Sequence, residues 1–106
     1  MNLLNNIIND LEENKAIDIV SIDVTKKTSM TDYLVFATGT SNRHIGSMSH
    51  SVYTKLKKLN ITKSRIEGNN NSGWIIIDSG DVIVHLFKKE SRKFYNLEKM
   101  WSIEIE

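Results

Sequence analysis

The chain holds three histidines, 13 carboxylates and no cysteine. Without thiols, disulfides, thiolate metal sites and cysteine nucleophiles are excluded. His44 and His50 stand six residues apart, which sets them on different sides of a helix. His85 lies inside the apolar stretch Val82-Ile83-Val84-His85-Leu86-Phe87. No His-x3-His pair occurs, so the spacing supports no zinc site, and no metal or cofactor is expected. Each histidine reads as a satisfied or surface residue, His85 as half-buried and hydrogen-bonded. Serine is frequent, yet there is no Gly-x-Ser-x-Gly elbow, and no Ser/His/Asp set assembles by spacing. A hydrolase is not supported, and no catalytic residue is assigned.

The junction Ala37-Thr38-Gly39-Thr40-Ser41-Asn42 leads from an apolar strand into a helix. A helix N-terminus carries free N–H groups and the positive end of a dipole, so it can take an anion. Nucleotidyltransferases set a Gly-Ser junction of this kind against a triphosphate, with two or three carboxylates on neighbouring strands for Mg²⁺. Asp23 and Asp32 are the nearest candidates here, and they form no Asp-x-Asp pair. The plainer reading is a capped helix after a tight turn. Lys55, Lys57, Lys58 and Lys63 cluster at the end of that helix. They suit a solvated face that complements the dipole, with a minor RNA contact as the alternative.

The hairpin over residues 74–87 is the most informative feature. Trp74, Ile76 and Asp78 alternate with Ile75 and Ile77, and Val82, Val84 and Leu86 alternate with Ile83, His85 and Phe87. Both faces are therefore apolar. A face that helices leave open and that carries a tryptophan has the character of a protein–protein hot spot. Spacing alone does not separate that from a buried core tryptophan.

These residues need elements to position them. Leu3, Leu4, Ile7, Ile8 and Leu11 fall on one side of a helical wheel. Residues 18–24 and 33–38 read as strands, the second buried on both faces. Gly39 ends it, Thr40 or Ser41 caps a helix marked by Ile45, Met48, Val52, Leu56 and Leu59, and Asn60 stops that helix. Residues 64–67 suit a short strand and 68–73 a flexible loop. Residues 74–78 and 81–87 pair across a Ser79-Gly80 turn. A last helix spans 90–100, with Phe94, Leu97 and Trp101 facing the core. The order αββαβββα makes an α+β, sandwich-like chain: a mixed sheet of about five strands with three helices.

At 106 residues and 40% hydrophobic content, a single domain over residues 1–106 is expected. A net charge of +1 lacks the basic excess of a phosphate-held nucleic-acid binder and offers little resistance to self-association. The N-terminal residues lack a signal peptide's basic start and unbroken apolar run, and no stretch approaches the ~18 apolar residues of a membrane span. With the missing cysteines, this suits the cytoplasm.

Four blocks resemble the Iojap-like ribosomal silencing factor family. They are Thr31-Asp32-Tyr33, then Ala37 through Thr38-Gly39-Thr40-Ser41-Asn42-Arg43-His44, then Glu67-Gly68 with the run from Trp74 to His85, and last Glu90-Ser91-Arg92-Lys93-Phe94-Tyr95-Asn96-Leu97-Glu98-Lys99-Met100-Trp101. They follow family order and spacing and reach from the first helix to Trp101. A tail ending at Glu106 and the Asn-rich loop after Gly68 are small departures. The resemblance implies a nucleotidyltransferase-like fold without catalytic carboxylates, and a translational repressor rather than an enzyme. It implies binding to large-subunit ribosomal protein fourteen on the surface facing the small subunit, so that joining is blocked when nutrients are scarce. Relatives in mitochondria and plastids are tied to large-subunit assembly, and members can form homodimers. The expected docking residues are Trp74, Ile76 and Asp78, with Asp81 and Val82 beside them, and Arg92, Tyr95 and Glu98 from the last block. The competing readings are a nucleotide-binding enzyme built on the Gly39 junction and an RNA-binding assembly factor built on the lysines.

Overall fold

Side-chain periodicity switches between about 3.6 and 2 along the chain, and the elements follow it. A computed structural model describes residues 2–91. Helix α1 spans Leu3–Glu13 and α2 spans Asn42–Lys58. The strands are β1 (Ile17–Asp23), β2 (Tyr33–Gly39), β3 (Arg65–Asn69), β4 (Trp74–Asp78) and β5 (Val82–Lys88). Residues 89–91 are helical. The rest of the helix expected over 90–100, with Phe94, Leu97 and Trp101, lies outside the described residues.

Both helices are bounded by side chains and turns suited to the task. Asn2 caps α1 by accepting from the Asn5 N–H, and Ser41 caps α2 by accepting from the His44 N–H. Each then stops with a left-handed residue, Lys15 or Asn60, both at φ 63°. Beyond those residues Ala16 N donates to Leu11 O and Ile61 N to Leu56 O, a paired closure of the last turn. The Asn60 stop expected from the sequence is present.

The five strands form one mixed sheet in the order β1-β2-β5-β4-β3. β2 and β5 run parallel at its centre, and every other neighbouring pair is antiparallel. Both helices pack on one face. There Ile7, Leu11, Ile45, Met48, Val52 and Leu56 meet Val35, Ala37, Ile75, Ile77, Val82, Val84 and Leu86 in a single buried cluster. Each such aliphatic side chain contributes about 1.5–3 kcal/mol when fully buried. The opposite face carries a second cluster: Ile22, Val24, Leu34, Phe36 and Phe87, flanked by Val20, Trp74 and Ile83. No residue of α1 or α2 belongs to it.

Two local readings change. The segment expected as a loop over 68–73 begins as strand, because Gly68 and Asn69 pair with Ile75 and Trp74. It continues as a 3₁₀ turn, Asn70–Ser72. Ser72 holds that turn: its hydroxyl donates toward the Asn69 and Trp74 carbonyls and accepts from the Trp74 N–H. Ser and Asn side chains satisfy backbone groups locally, so a polar run of this composition can be well ordered.

Gly39 does more than end its strand. It is the last residue paired with β5, opposite Lys88. A Cβ here would lie 2.6 Å from Ile45 Cγ2 and 2.9 Å from Met48 Cε. Glycine therefore lets the start of α2 close onto β2. Gly39→Ala should destabilise the fold by about 1–3 kcal/mol through overpacking, read as a lower urea midpoint at unchanged m-value. An unaltered midpoint would contradict this close approach.

Candidate functional site

On the sheet face away from α1 and α2, register places the candidate residues in rows. Within a sheet, paired residues project to the same side. Trp74 pairs with Phe87, Ile76 with His85, and Asp78 with Ile83. Across the next boundary Phe36 pairs with His85 and Leu34 with Ile83. On the outer side Glu67 pairs with Ile76 and Arg65 with Asp78. The aromatic rings consequently stack across three strands. Phe36 and His85 lie 5.0 Å apart at 17°, and Trp74 and Phe87 5.3 Å apart at 21°.

Trp74, Ile76 and Asp78 are each half-buried. The Trp74 indole N–H donates to His85 Nδ1 at 3.2 Å. Glu67, Gly68, Ser72, Trp74 and Ile76 line a mainly apolar depression of about 280 Å³. Gly68, one of the lining residues, has φ +89°, and a Cβ there would sit 2.4 Å from the Trp74 carbonyl oxygen. Asp78 accepts from the Gly80 N–H at 2.9 Å and faces Arg65 at 3.8 Å. That ion pair is exposed and worth at most about 1 kcal/mol. Asp81 is exposed at the turn, and its carbonyl receives the Asp32 and Tyr33 N–H groups.

Trp74, Ile76 and Asp78 thus share one face, and Asp81 lies exposed in the turn that follows β4. Val82 does not join them. It is 1% exposed and packs in the helix-side cluster. Alternation along β5 sends Val82, Val84 and Leu86 under the helices and leaves Ile83 and His85 on the other side. Arg92, Tyr95 and Glu98 lie outside the described residues. Glu67 and His85 were not among the expected docking residues. A signal for His85 existed, since pairing outward from a Ser79-Gly80 turn puts it opposite Trp74 and on the same face; in the structure Ser79 pairs with Val82, and His85 stands opposite Ile76 instead.

The Gly39 junction is already engaged with its own chain. Thr40 N donates to His44 Nδ1 at 2.9 Å, and His44 Nε2 lies 2.8 Å from the Asn14 carbonyl. Since Nδ1 accepts, Nε2 carries the proton and donates. Of the carboxylates considered for a metal, Asp23 ends β1 opposite Tyr33, and Asp32 is exposed just before β2. The Thr25 hydroxyl and backbone N–H hold the Asp23 carboxyl below its ordinary range. Among the described residues no three His or carboxylate side chains are grouped to hold a metal ion, and no helix is long and apolar enough to cross a membrane. Lys55, Lys57 and Lys58 end α2, on the far side of the sheet from Trp74.

A family model described as "Ribosomal silencing factor during starvation" matches residues 1–106. The chain belongs to this ribosomal silencing factor family. A relative named "Ribosomal silencing factor RsfS" from Zymomonas mobilis is 38% identical over 99 residues, covering 93% of this chain and 74% of the relative. A mouse relative, "Mitochondrial assembly of ribosomal large subunit protein 1", is 35% identical over 100 residues, covering 92% of this chain and 44% of its own length. A crystal structure of a Chromobacterium violaceum protein superposes with a TM-score of 0.90 at 34% identity, covering 94% of this chain and 83% of that one. The fold expected from the four sequence blocks is therefore that of the silencing factor family's solved structures.

Burial pushes His85 down from 6.5 to about 4. Between those values the unfolded chain binds the proton and the folded chain does not. Stability is therefore full above about pH 6.5 and falls as the pH drops toward 4. His85 should remove about 2 kcal/mol between pH 7 and pH 5. Urea unfolding at both pH values should show a smaller loss for His85→Leu than for the parent. Equal losses in the two proteins would contradict the assignment.

Proposed function

We propose that this chain represses translation by binding the large ribosomal subunit through large-subunit protein fourteen, on the face turned to the small subunit. The single domain over residues 1–106 then clashes with the approaching small subunit, and no bond is made or broken. Family membership supports the ribosomal role, and the mouse relative's name supports the large subunit as its setting. The observation that carries the docking surface is the half-buried Trp74–Ile76 row beside the carboxylates of Glu67 and Asp78, with Asp81 exposed in the following turn. Aromatic and aliphatic surface gives affinity, and the acidic rim selects a basic partner surface. Arg92, Tyr95 and Glu98 extend the proposed interface. A cytoplasmic site of action suits this role. Self-association through the same face would compete with docking.

An enzymatic reading through the Gly39 junction is disfavoured by the His44 contacts, which use the Thr40 N–H that a phosphate would need. The RNA reading gains nothing from the lysines, whose place at the end of α2 suits the helix dipole. Lys57 also stands over the Tyr53 ring at 4.8 Å.

The test is sedimentation of purified large subunits with the protein, with and without small subunits. Co-migration with free large subunits and fewer joined ribosomes are expected. Trp74→Ala, shown to be folded, should weaken binding to large subunits and to isolated protein fourteen by about 2 kcal/mol, roughly thirtyfold. Unchanged affinity would remove this row from the interface.

A further inference from the structure

We infer that His85 is a positioning residue for docking: by holding the Trp74 indole N–H, it fixes which edge of that ring a partner meets. The inference rests on the docking role of Trp74 proposed above. Stacking against Phe87 and His85, at centroid distances of 5.3 and 6.0 Å, sets the plane of the indole. The plane alone does not set the direction of the N–H, because a half-turn about the Cβ–Cγ bond keeps the ring in the same plane and reverses its edges. The N–H is the only polar group of the indole, and its bond to His85 Nδ1 at 3.2 Å selects one orientation.

His85 is itself held for this task. Its ring stacks on Phe36 at 5.0 Å and 17°, and Phe36 is 1% exposed. Because Nδ1 accepts from the indole, the neutral ring carries its proton on Nε2. A doubly protonated ring would have no acceptor to offer, so the apolar surroundings that keep His85 neutral also keep the indole bond intact.

Two consequences for docking follow. A ring ordered in advance loses less conformational freedom on binding, an advantage of about three- to tenfold per side chain. An indole N–H that already has an acceptor is not stranded when a partner covers it, and a stranded donor is costly. The partner can therefore meet Trp74 with apolar surface alone, while Glu67 and Asp78 on the same face receive its cations.

The experiment compares His85→Leu with His85→Asn. Leucine keeps apolar volume and removes the acceptor, whereas the asparagine carbonyl can stand where Nδ1 stood. Two readouts are taken. The first is solvent exchange of the Trp74 indole N–H by NMR on the free protein, with the resonance assigned by its loss in Trp74→Phe. The second is affinity for purified large ribosomal subunits. The expected result is faster exchange and about tenfold weaker binding for His85→Leu. Protected exchange and binding within about threefold of the parent are expected for His85→Asn. Unchanged exchange in His85→Leu would overturn the hydrogen bond. Faster exchange with unchanged binding, or equal weakening in both variants, would overturn the positioning role. If Trp74→Ala also leaves binding unchanged, the docking reading itself fails, and the exchange data still report whether His85 holds the ring.

Discussion

Tyr33–Gly39 runs parallel to Val82–Lys88 through the middle of the sheet, and this pairing divides the side chains of both strands between two environments. Val35, Ala37, Val84 and Leu86 go under the helices, while Leu34, Phe36, Ile83 and His85 go to the other side. Side chains alternate with a period of two, so a slip of one residue would exchange the two sets. The antiparallel register of β4 on β5 then carries Trp74, Ile76 and Asp78 to the side that α1 and α2 do not occupy. The proposed docking row is thus fixed by register, and register is fixed by the helix-side core. Had Trp74 fallen on the helix face, it would have met Val52, Leu56 and their neighbours instead.

Periodicity exposed much of this in advance. The first two helices, the 33–38 strand and the 74–87 hairpin each carry a strong local pattern, and the structure places them within a residue or a few of their expected bounds. The Trp74-Ile76-Asp78 row was legible for the same reason, since alternation alone puts those side chains together. What stayed hidden depends on pairings between distant segments. That β5 lies between β2 and β4 cannot be read from either strand, and the Phe36–His85 stack follows only from that order. Val82 belongs to the helix side because alternation in β5, and not nearness to Asp81 in the chain, decides its face. The polar run after Gly68 read as loose because composition signals turns but not the hydrogen bonds that order them.

At the Gly39 junction, groups that could meet a phosphate are engaged by the chain itself. A phosphate at a helix start needs free N–H groups and room for close approach. Here the His44 side chain returns to the preceding loop and accepts from Thr40 N, while Ser41 Oγ accepts from His44 N. The other ring nitrogen reaches Asn14, so one histidine ties the β2–α2 turn to the end of α1. Glycine is needed at position 39 because Ile45 and Met48 fill the space where its side chain would be. Each feature that suggests phosphate binding in the sequence has a packing role in the structure.

The proposed docking face separates two duties that a single residue type performs poorly together. Its apolar and aromatic row supplies area that gains free energy when water is removed, but such area says little about orientation. Its carboxylates supply orientation, provided that they can exchange their present contacts without large loss. The Arg65–Asp78 pair meets that condition, since it is exposed and 3.8 Å long. The Trp74–His85 bond is of the other kind, half-buried and backed by stacked rings, and is suited to persist on binding. The contacts around the anchor are therefore fixed and those around the charges replaceable, the division expected of a surface that must be rigid where it buries area and adaptable where it meets a partner's cations.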